Sequence, residues 1–309
     1  MAGYHAGSRT LQDRLGVRDR ADHVGRSLGQ DIKPVAAAFL ELQPLLVVAA
    51  AAPETGRVWA SALTGTPGFV RATGPRRMSV HTPGPSAHAS GTSEHPPARL
   101  EDPLATALGT PGTPVGTIAL DPRTRRRMRL NGRLRPTPRG FTVEADQVFS
   151  NCPKYIQRRE GYETVPGRTP GPSRRLTRLG AAEADLVRAA DTFFLATVHS
   201  AGADASHRGG NPGFVQVTSP TELTWPDYPG NAMFLTLGNL HTDPRAGLLL
   251  LDWETGTTLQ LTGRARTEFS ADGGRTVRFT LAEARLTPAA LPLRWTPPEY
   301  SPANPDITR

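Results

Sequence analysis

Apolar positions in this chain fall into short runs rather than long helical stripes. Leu45 to Ala52 and Thr192 to Val198 are continuously or nearly continuously apolar, and each is followed by a turn, Pro53 to Gly56 and Ser200 to Asp204. Each reads as a buried strand with a hairpin partner, Arg57 to Ser61 in one case and the stretch from Ala205 in the other. Gly116 to Asp121, Arg125 to Leu134 and Phe141 to Phe149 add further strands. In Arg125 to Leu134 the arginines Arg127 and Arg129 alternate with Met128 and Leu130, the pattern of an edge strand with a solvated basic face.

Helical spacing is confined to short segments. Leu11, Leu15, Val24 and Leu28 are separated by charged positions, Pro34 can open a second helix ending near Leu42, and Ala181 to Ala190 is periodic again. Asn151 to Arg159 reads as the start of another short helix. Residues 82–114 are rich in Pro, Gly, Ser and Thr and predict a long irregular connection around one short helix, Asp102 to Leu108. These shifts divide the chain into a helical lead-in (1–33), a first half (34–160), a linker (161–175) and a second half (176–309).

The second half repeats the first. Ala60, Ser61 and Pro67 to Val70 recur 145 residues later as Ala205, Ser206 and Pro212 to Val215. Leu120, Asp121 and Gly132, Arg133 recur 131 residues later as Leu251, Asp252 and Gly263, Arg264. The 14-residue difference measures extra chain in the first half, where the Pro/Gly/Ser-rich connection lies. Five or six short antiparallel strands per half, with Gly132 and Gly263 at bulges, predict a mainly β fold: two small β-barrels with flanking helices, packed as an intrachain pseudo-dimer with a ligand cleft at the interface.

Composition narrows the chemistry. The chain has 309 residues, 36 Lys plus Arg against 28 Asp plus Glu, and a net charge of +8. Only Lys33 and Lys154 are lysines, and the cations are spread along the chain, so the charge reads as a compositional bias rather than a designed polycation. Aromatics make up 6% and none interleaves with Arg125 to Arg135, which argues against nucleic acid. The longest apolar run is too short to span a bilayer and residues 1–30 hold no secretory core, so the expectation is a soluble cytoplasmic protein with no membrane partner. A single cysteine, Cys152, excludes an intrachain disulfide; it reads as an inert, partly buried thiol, with a redox thiol activated by Lys154 as the alternative. His199, His207 and His241 lack metal-ligand spacing, so no metal is expected.

The strongest candidate site is Ser206, His207, Arg208, Gly209 and Gly210. It sets hydroxyl, imidazole and guanidinium donors side by side before a glycine-rich turn, a combination suited to a phosphate. The 145-residue offset places Ala62 and Leu63 opposite His207 and Arg208, so one of two equivalent sites lacks these donors.

Three segments carry a family resemblance: residues 206–215 (SHRGGNPGFV), 237–252 (LGNLHTDPRAGLLLLD) and 259–265 (LQLTGRA). They resemble the FMN-binding split-barrel flavoproteins related to pyridoxamine 5′-phosphate oxidase. Residues 59–69 and 151–157 look like the matching parts of a tandem subgroup. The resemblance implies one flavin site per chain between two barrels, with Ser206, His207, Arg208 and a turn at Leu237, Gly238 and Asn239 around the cofactor, and with Lys154 and Tyr155 contributed by the first half. It implies an FMN-dependent oxidoreductase acting on a small molecule, with electrons from a separate reductase or a diffusible reductant. A deazaflavin in place of FMN, or a non-catalytic flavin- or haem-binding module, are the alternatives. Further oligomerisation stays open, as does whether Trp295 covers the interface or fills a core.

Overall fold

The computed structural model describes residues 3–82 and 102–306. Most of the connection expected over 82–114 lies outside the described residues. The chain opens with α1 (Ala6–Arg14), α2 (Arg18–Gly25) and α3 (Pro34–Glu41). The first sheet follows: β1 (Leu45–Ala51), β2 (Val58–Thr64), β3 (Val70–Gly74), β4 (Arg77–His81), then α4 (Ala105–Gly109), β5 (Pro114–Asp121), β6 (Arg126–Thr137) and β7 (Gly140–Ser150). Two short strands come next, β8 (Tyr162–Thr164) and β9 (Arg174–Leu176), and then α5 (Ala181–Ala189). The second sheet is built from β10 (Thr192–His199), β11 (Gly202–Gly209), β12 (Gln216–Ser219), β13 (Glu222–Pro226), α6 (Leu235–Thr242), β14 (Arg245–Leu251), β15 (Thr258–Phe269) and β16 (Arg275–Thr287); β17 (Leu293–Trp295) pairs with β8.

Both sheets follow one path. The first runs β2-β1-β5-β6-β7-β4-β3 and the second β11-β10-β14-β15-β16-β13-β12. Register confirms the equivalence: Val47 faces Ala62 and Ile118, and Ile118 faces Arg129, while Phe194 faces His207 and Leu249, and Leu249 faces Gln260. The bulges fall at Gly132 and Gly263, where the register of each long strand slips.

The apolar runs are continuous because these strands are buried on both faces. Leu46, Val48 and Ala50 of β1 enter the core of the first barrel, and Leu45, Val47 and Ala49 enter a core between the halves. Phe193 and Leu195 of β10 likewise face the second barrel's core while Phe194, Ala196 and Val198 face the shared one. Full burial of such a side chain contributes roughly 1.5–3 kcal/mol, so the seam between the halves is as apolar as either interior. Gly116 and Gly247 set its spacing reciprocally. A Cβ on Gly116 would stand 2.4 Å from the Asp204 Cα, and one on Gly247 would stand 2.8 Å from the Trp59 Cα, which is the signature of an isologous contact within one chain.

Several expectations need correction. Arg125 to Leu134 is not an edge strand: β6 lies mid-sheet between β5 and β7, and the face carrying Arg127 and Arg129 turns toward the other half. The segment expected as a linker carries β8 and the start of β9, both paired. Residues 151–159 form no helix, and Leu237, Gly238 and Asn239 lie inside α6 rather than in a turn. Cys152 is exposed rather than partly buried. Trp295 is buried in the core between the halves, edge-on to Trp253 at 5.7 Å. Among the described residues no helix is long and apolar enough to cross a membrane.

Candidate functional site

A cavity of about 430 Å³ opens where β11 and β6 meet across the seam. Its floor begins with a buried ion pair between the halves, Arg129 of β6 with Asp204 of β11, whose side chains are 7% and 3% exposed. Asn131 Nδ2 (3.1 Å) and the Thr236 hydroxyl (3.0 Å) also donate to Asp204. Burial lowers the pKa of Arg129, and the Asp204 carboxylate works against that shift. With its remaining lone pairs occupied, the carboxylate holds the two halves in register at this point.

Arg127, one strand pleat along, faces the same way without such a partner. Its guanidinium donates to His207 Nδ1 at 2.8 Å and to the Cys152 carbonyl at 2.8 Å, and no carboxylate pairs with it among the described residues. Burial, together with the charges of Arg129 and Arg208, lowers its pKa to about 9. Burial and the two neighbouring cations both disfavour its charge, and no carboxylate among the described residues pairs with it to offset them.

Arg127 also fixes the state of His207. A guanidinium can only donate, so Nδ1 accepts and the ring proton sits on Nε2. Burial first, then the charges of Arg127 and Arg208, hold the imidazole well below its usual pKa, so it is neutral at pH 7. Its Nε2–H is buried without a partner, as is Arg208 Nε. Arg208 meets Asp227, whose second oxygen takes Arg275 at 2.9 Å. One carboxylate is thus shared by two guanidiniums.

The remaining walls come from both halves and from the lead-in. Lys154 and Cys152 line the cavity from an exposed coil. The Tyr155 ring packs 5.1 Å from Tyr228, and its hydroxyl donates to the Pro229 carbonyl at 3.1 Å. Among the described residues, three of the five non-glycine residues with positive φ, Tyr155 (65°), Ala232 (62°) and Phe234 (53°), border this one cavity, and left-handed backbone at non-glycine residues costs energy that surrounding contacts must offset. The lead-in supplies those contacts. Gln12 donates to the Met233 carbonyl (2.9 Å), Ser8 to the Phe234 carbonyl (3.3 Å) and Arg20 to the Gly230 carbonyl (3.2 Å).

Of the residues singled out from sequence, Ser206, His207, Arg208, Gly209, Leu237, Lys154 and Tyr155 line the cavity, although Ser206 spends its hydroxyl on the Leu195 carbonyl at 3.4 Å. Gly210, Gly238 and Asn239 do not. Gly238 packs on Ser8 of α1, Asn239 donates to the Thr197 hydroxyl at 2.9 Å, and Gly210 accepts from Gln157. Gly209 serves the protein's own packing: a Cβ there would lie 2.0 Å from the Tyr155 carbonyl oxygen. Sequence reasoning missed Arg127, Arg129, Asp227 and Arg275. A signal for the first two was present, since the 131-residue offset sets Arg127 and Arg129 against the uncharged Thr258 and Gln260, just as the 145-residue offset sets Arg208 against Leu63.

Comparison with known proteins fits this architecture. Residues 179–301, within the second half, match the family model described as pyridoxamine 5′-phosphate oxidase, and the two equivalent sheets are consistent with a tandem arrangement. Similar solved structures include a candidate pyridoxamine 5′-phosphate oxidase from Lactobacillus delbrueckii (17% identity, TM-score 0.29, covering 35% of this chain and 94% of that one). An FAD-binding protein from Mesorhizobium loti (11%, 0.28, 37% and 97%) and one from Mycobacterium smegmatis (14%, 0.27, 38% and 98%) are also similar. A search of the curated proteins finds no match.

Proposed function

We propose that this cavity holds FMN and that the chain is a flavin-dependent oxidoreductase acting on a small molecule. The observation that carries the reading is Arg127: a cation without a carboxylate partner among the described residues, contributed by one half, touching a histidine of the other half whose second ring nitrogen has no partner. A phosphate supplies what both lack, negative charge and acceptor oxygens. Arg127, Arg208 and the His207 Nε2–H would hold it. Phe214, Met233 and Leu235 would exclude water beside the ring, and Tyr155 and Tyr228 would position it. The bound flavin supplies the electron transfer chemistry; the chain's part is to bind, orient and shield. Electrons would come from a separate reductase or a diffusible reductant.

The donor state of His207 disfavours the haem alternative at that residue, because one nitrogen is occupied by Arg127 and the other carries the proton. A deazaflavin stays a competitor for the same donors. Incubation of the purified protein with FMN, FAD or a deazaflavin, followed by desalting and an absorption spectrum, tests the reading. Retention of FMN at one equivalent per chain is expected. Retention of none of the three would overturn it.

A further inference from the structure

Two histidines far apart in sequence meet behind the cavity wall. His5, at the start of α1, stacks on His199, at the end of β10, with ring centroids 4.7 Å apart and planes 3° from parallel. Both are half-buried. Each uses Nδ1 to accept a backbone N–H, His5 from Gly7 at 3.2 Å and His199 from Ala201 at 3.3 Å. Each ring is therefore neutral, with its proton on Nε2.

His5 is also the N-cap of α1. A proton added at its Nδ1 removes that cap and sets a cation at the positive end of the helix. A proton on His199 Nδ1 takes away the acceptor that Ala201 uses, and protonation of both rings places like charges face to face. The charged groups around the pair do not reverse this. Asp204 of β11 favours protonation of both rings, but its carboxylate is already occupied by Arg129, Asn131 and Thr236. Arg133 of β6 opposes a charge on His199, while the Asn239 side chain and the Leu235 backbone of α6 favour one on His5. Burial outweighs the favourable contacts, and both pKa values lie below the ordinary one.

The stack holds the element that builds the cavity wall. α1 packs so closely on α6 that a Cβ on Gly7 would lie 2.3 Å from the Gly238 carbonyl oxygen. From that seat Ser8 and Gln12 reach the Phe234 and Met233 carbonyls, beside the left-handed Ala232 and Phe234. α2 is tied to α1 by Arg9 with Asp22 at 2.6 Å and by Arg18 with Asp13 at 2.7 Å, and it brings Arg20 and Val24 into the cavity lining. Leu11 is buried in the second barrel's core, so loss of the stack frees the first turn of α1 without detaching the helix.

We propose that the His5–His199 stack is an acid-labile latch on the cavity wall. Neutral, it seats the first turn of α1 on α6. Protonated, it releases that turn, residues 232–235 lose their support, and the cavity loses its grip on an anion. The step from latch to flavin rests on the flavin reading of the cavity; the latch itself does not.

Hydrogen exchange of the flavin-free protein at pH 7.5 and pH 5, read as protection factors so that the intrinsic pH dependence of exchange divides out, tests the latch. A released histidine titrates near pH 6.5, so protection of peptides spanning 5–12 and 232–240 should fall roughly tenfold or more on acidification, and that of β14 and β15 far less. The double variant His5→Asn, His199→Phe keeps an N-cap and an aromatic face but has nothing to titrate, and it should hold its protection at both pH values. His199→Phe alone should show a smaller loss than the wild type, which keeps the test valid if the double variant folds poorly. His207→Gln should loosen as the wild type does. Equal protection at the two pH values in the wild type, or acid loosening of the double variant, would overturn the latch. FMN affinity should fall further in the wild type than in the double variant between the same pH values. An equal fall in both would overturn the coupling to the cavity, whereas no FMN binding at either pH would overturn the flavin reading and leave the exchange result standing.

Discussion

At one end of the seam Arg129 reaches across to Asp204; at the other, its register equivalent Gln260 donates to the Ala60 carbonyl and to Ser61, each at 2.9 Å. The counterpart of Asp204 is Trp59, which lies in the first barrel's core. Arg127 is matched by Thr258, and His207 and Arg208 by Ala62 and Leu63. Ser61 keeps the place of Ser206 but gives its hydroxyl to Asp102 at 2.7 Å, and burial pushes that carboxyl's pKa up. One end of the scaffold therefore presents unpaired donors around a cavity, and the other closes the same backbone with side chains that satisfy one another, Gln260, Ser61 and Asp102. The repeat keeps the geometry; these five differences leave the binding chemistry at one end.

The largest expected effect tests whether the two ends differ energetically. Arg129→Leu leaves Asp204 buried without its counter-charge and should cost about 3–5 kcal/mol in urea unfolding, whereas Gln260→Leu should cost about 1–3 kcal/mol. Equal costs would mean that the two contacts do the same structural work and that the contrast is only one of sequence.

A smaller effect follows from His207, which has no titratable counterpart at Ala62. Its folded pKa is depressed, while the unfolded chain takes up a proton near pH 6.5. Stability is therefore full above that value and declines as pH falls through it, by at most about 1.4 kcal/mol per pH unit for each such histidine. His5 and His199, stacked at 4.7 Å and both lowered chiefly by burial, share this behaviour and pin the lead-in to the second half. Comparison of unfolding at pH 7 and pH 5.5 should show His207→Gln losing about 1 kcal/mol less than the wild type. An unchanged difference would place the proton elsewhere.

The smallest effect is expected at Cys152. Arg127 bonds its backbone carbonyl, not its sulfur, and the side chain is exposed. Cys152→Ser should retain flavin at wild-type level in a desalting assay, and loss of flavin would give the thiol a role that this account denies it.

Much of this was legible in the chain. Constant offsets carried the duplication, turn residues carried the hairpins, and the donor-rich stretch 206–209 lies at the cavity. What misled was local pattern read without partners. Arg127 and Arg129 alternate with Met128 and Leu130 as they would on a solvated edge, and only the arrival of β11 from the other half makes that face an interior. The turn at Leu237 to Asn239 came from the family resemblance rather than from the residues, and its glycine serves close packing on α1. The lead-in's part was hidden for the same reason, since Gln12, Ser8 and Arg20 act on backbone carbonyls some 210 to 226 residues away.

The central claim is that a cation from the first half holds the anion bound by the second. Titration of FMN and riboflavin into wild type, Arg127→Met, Arg208→Met and the control Leu63→Ala tests it most directly. Arg127→Met should lose roughly 10–100-fold in FMN affinity, the effect of one charge-assisted contact, lose far less for riboflavin, which lacks the phosphate, and unfold no more readily than the wild type, because a buried cation without a carboxylate has been removed. Arg208→Met should show the same selectivity and Leu63→Ala none. Equal losses for the two flavins, or FMN affinity unchanged in Arg127→Met, would contradict the account.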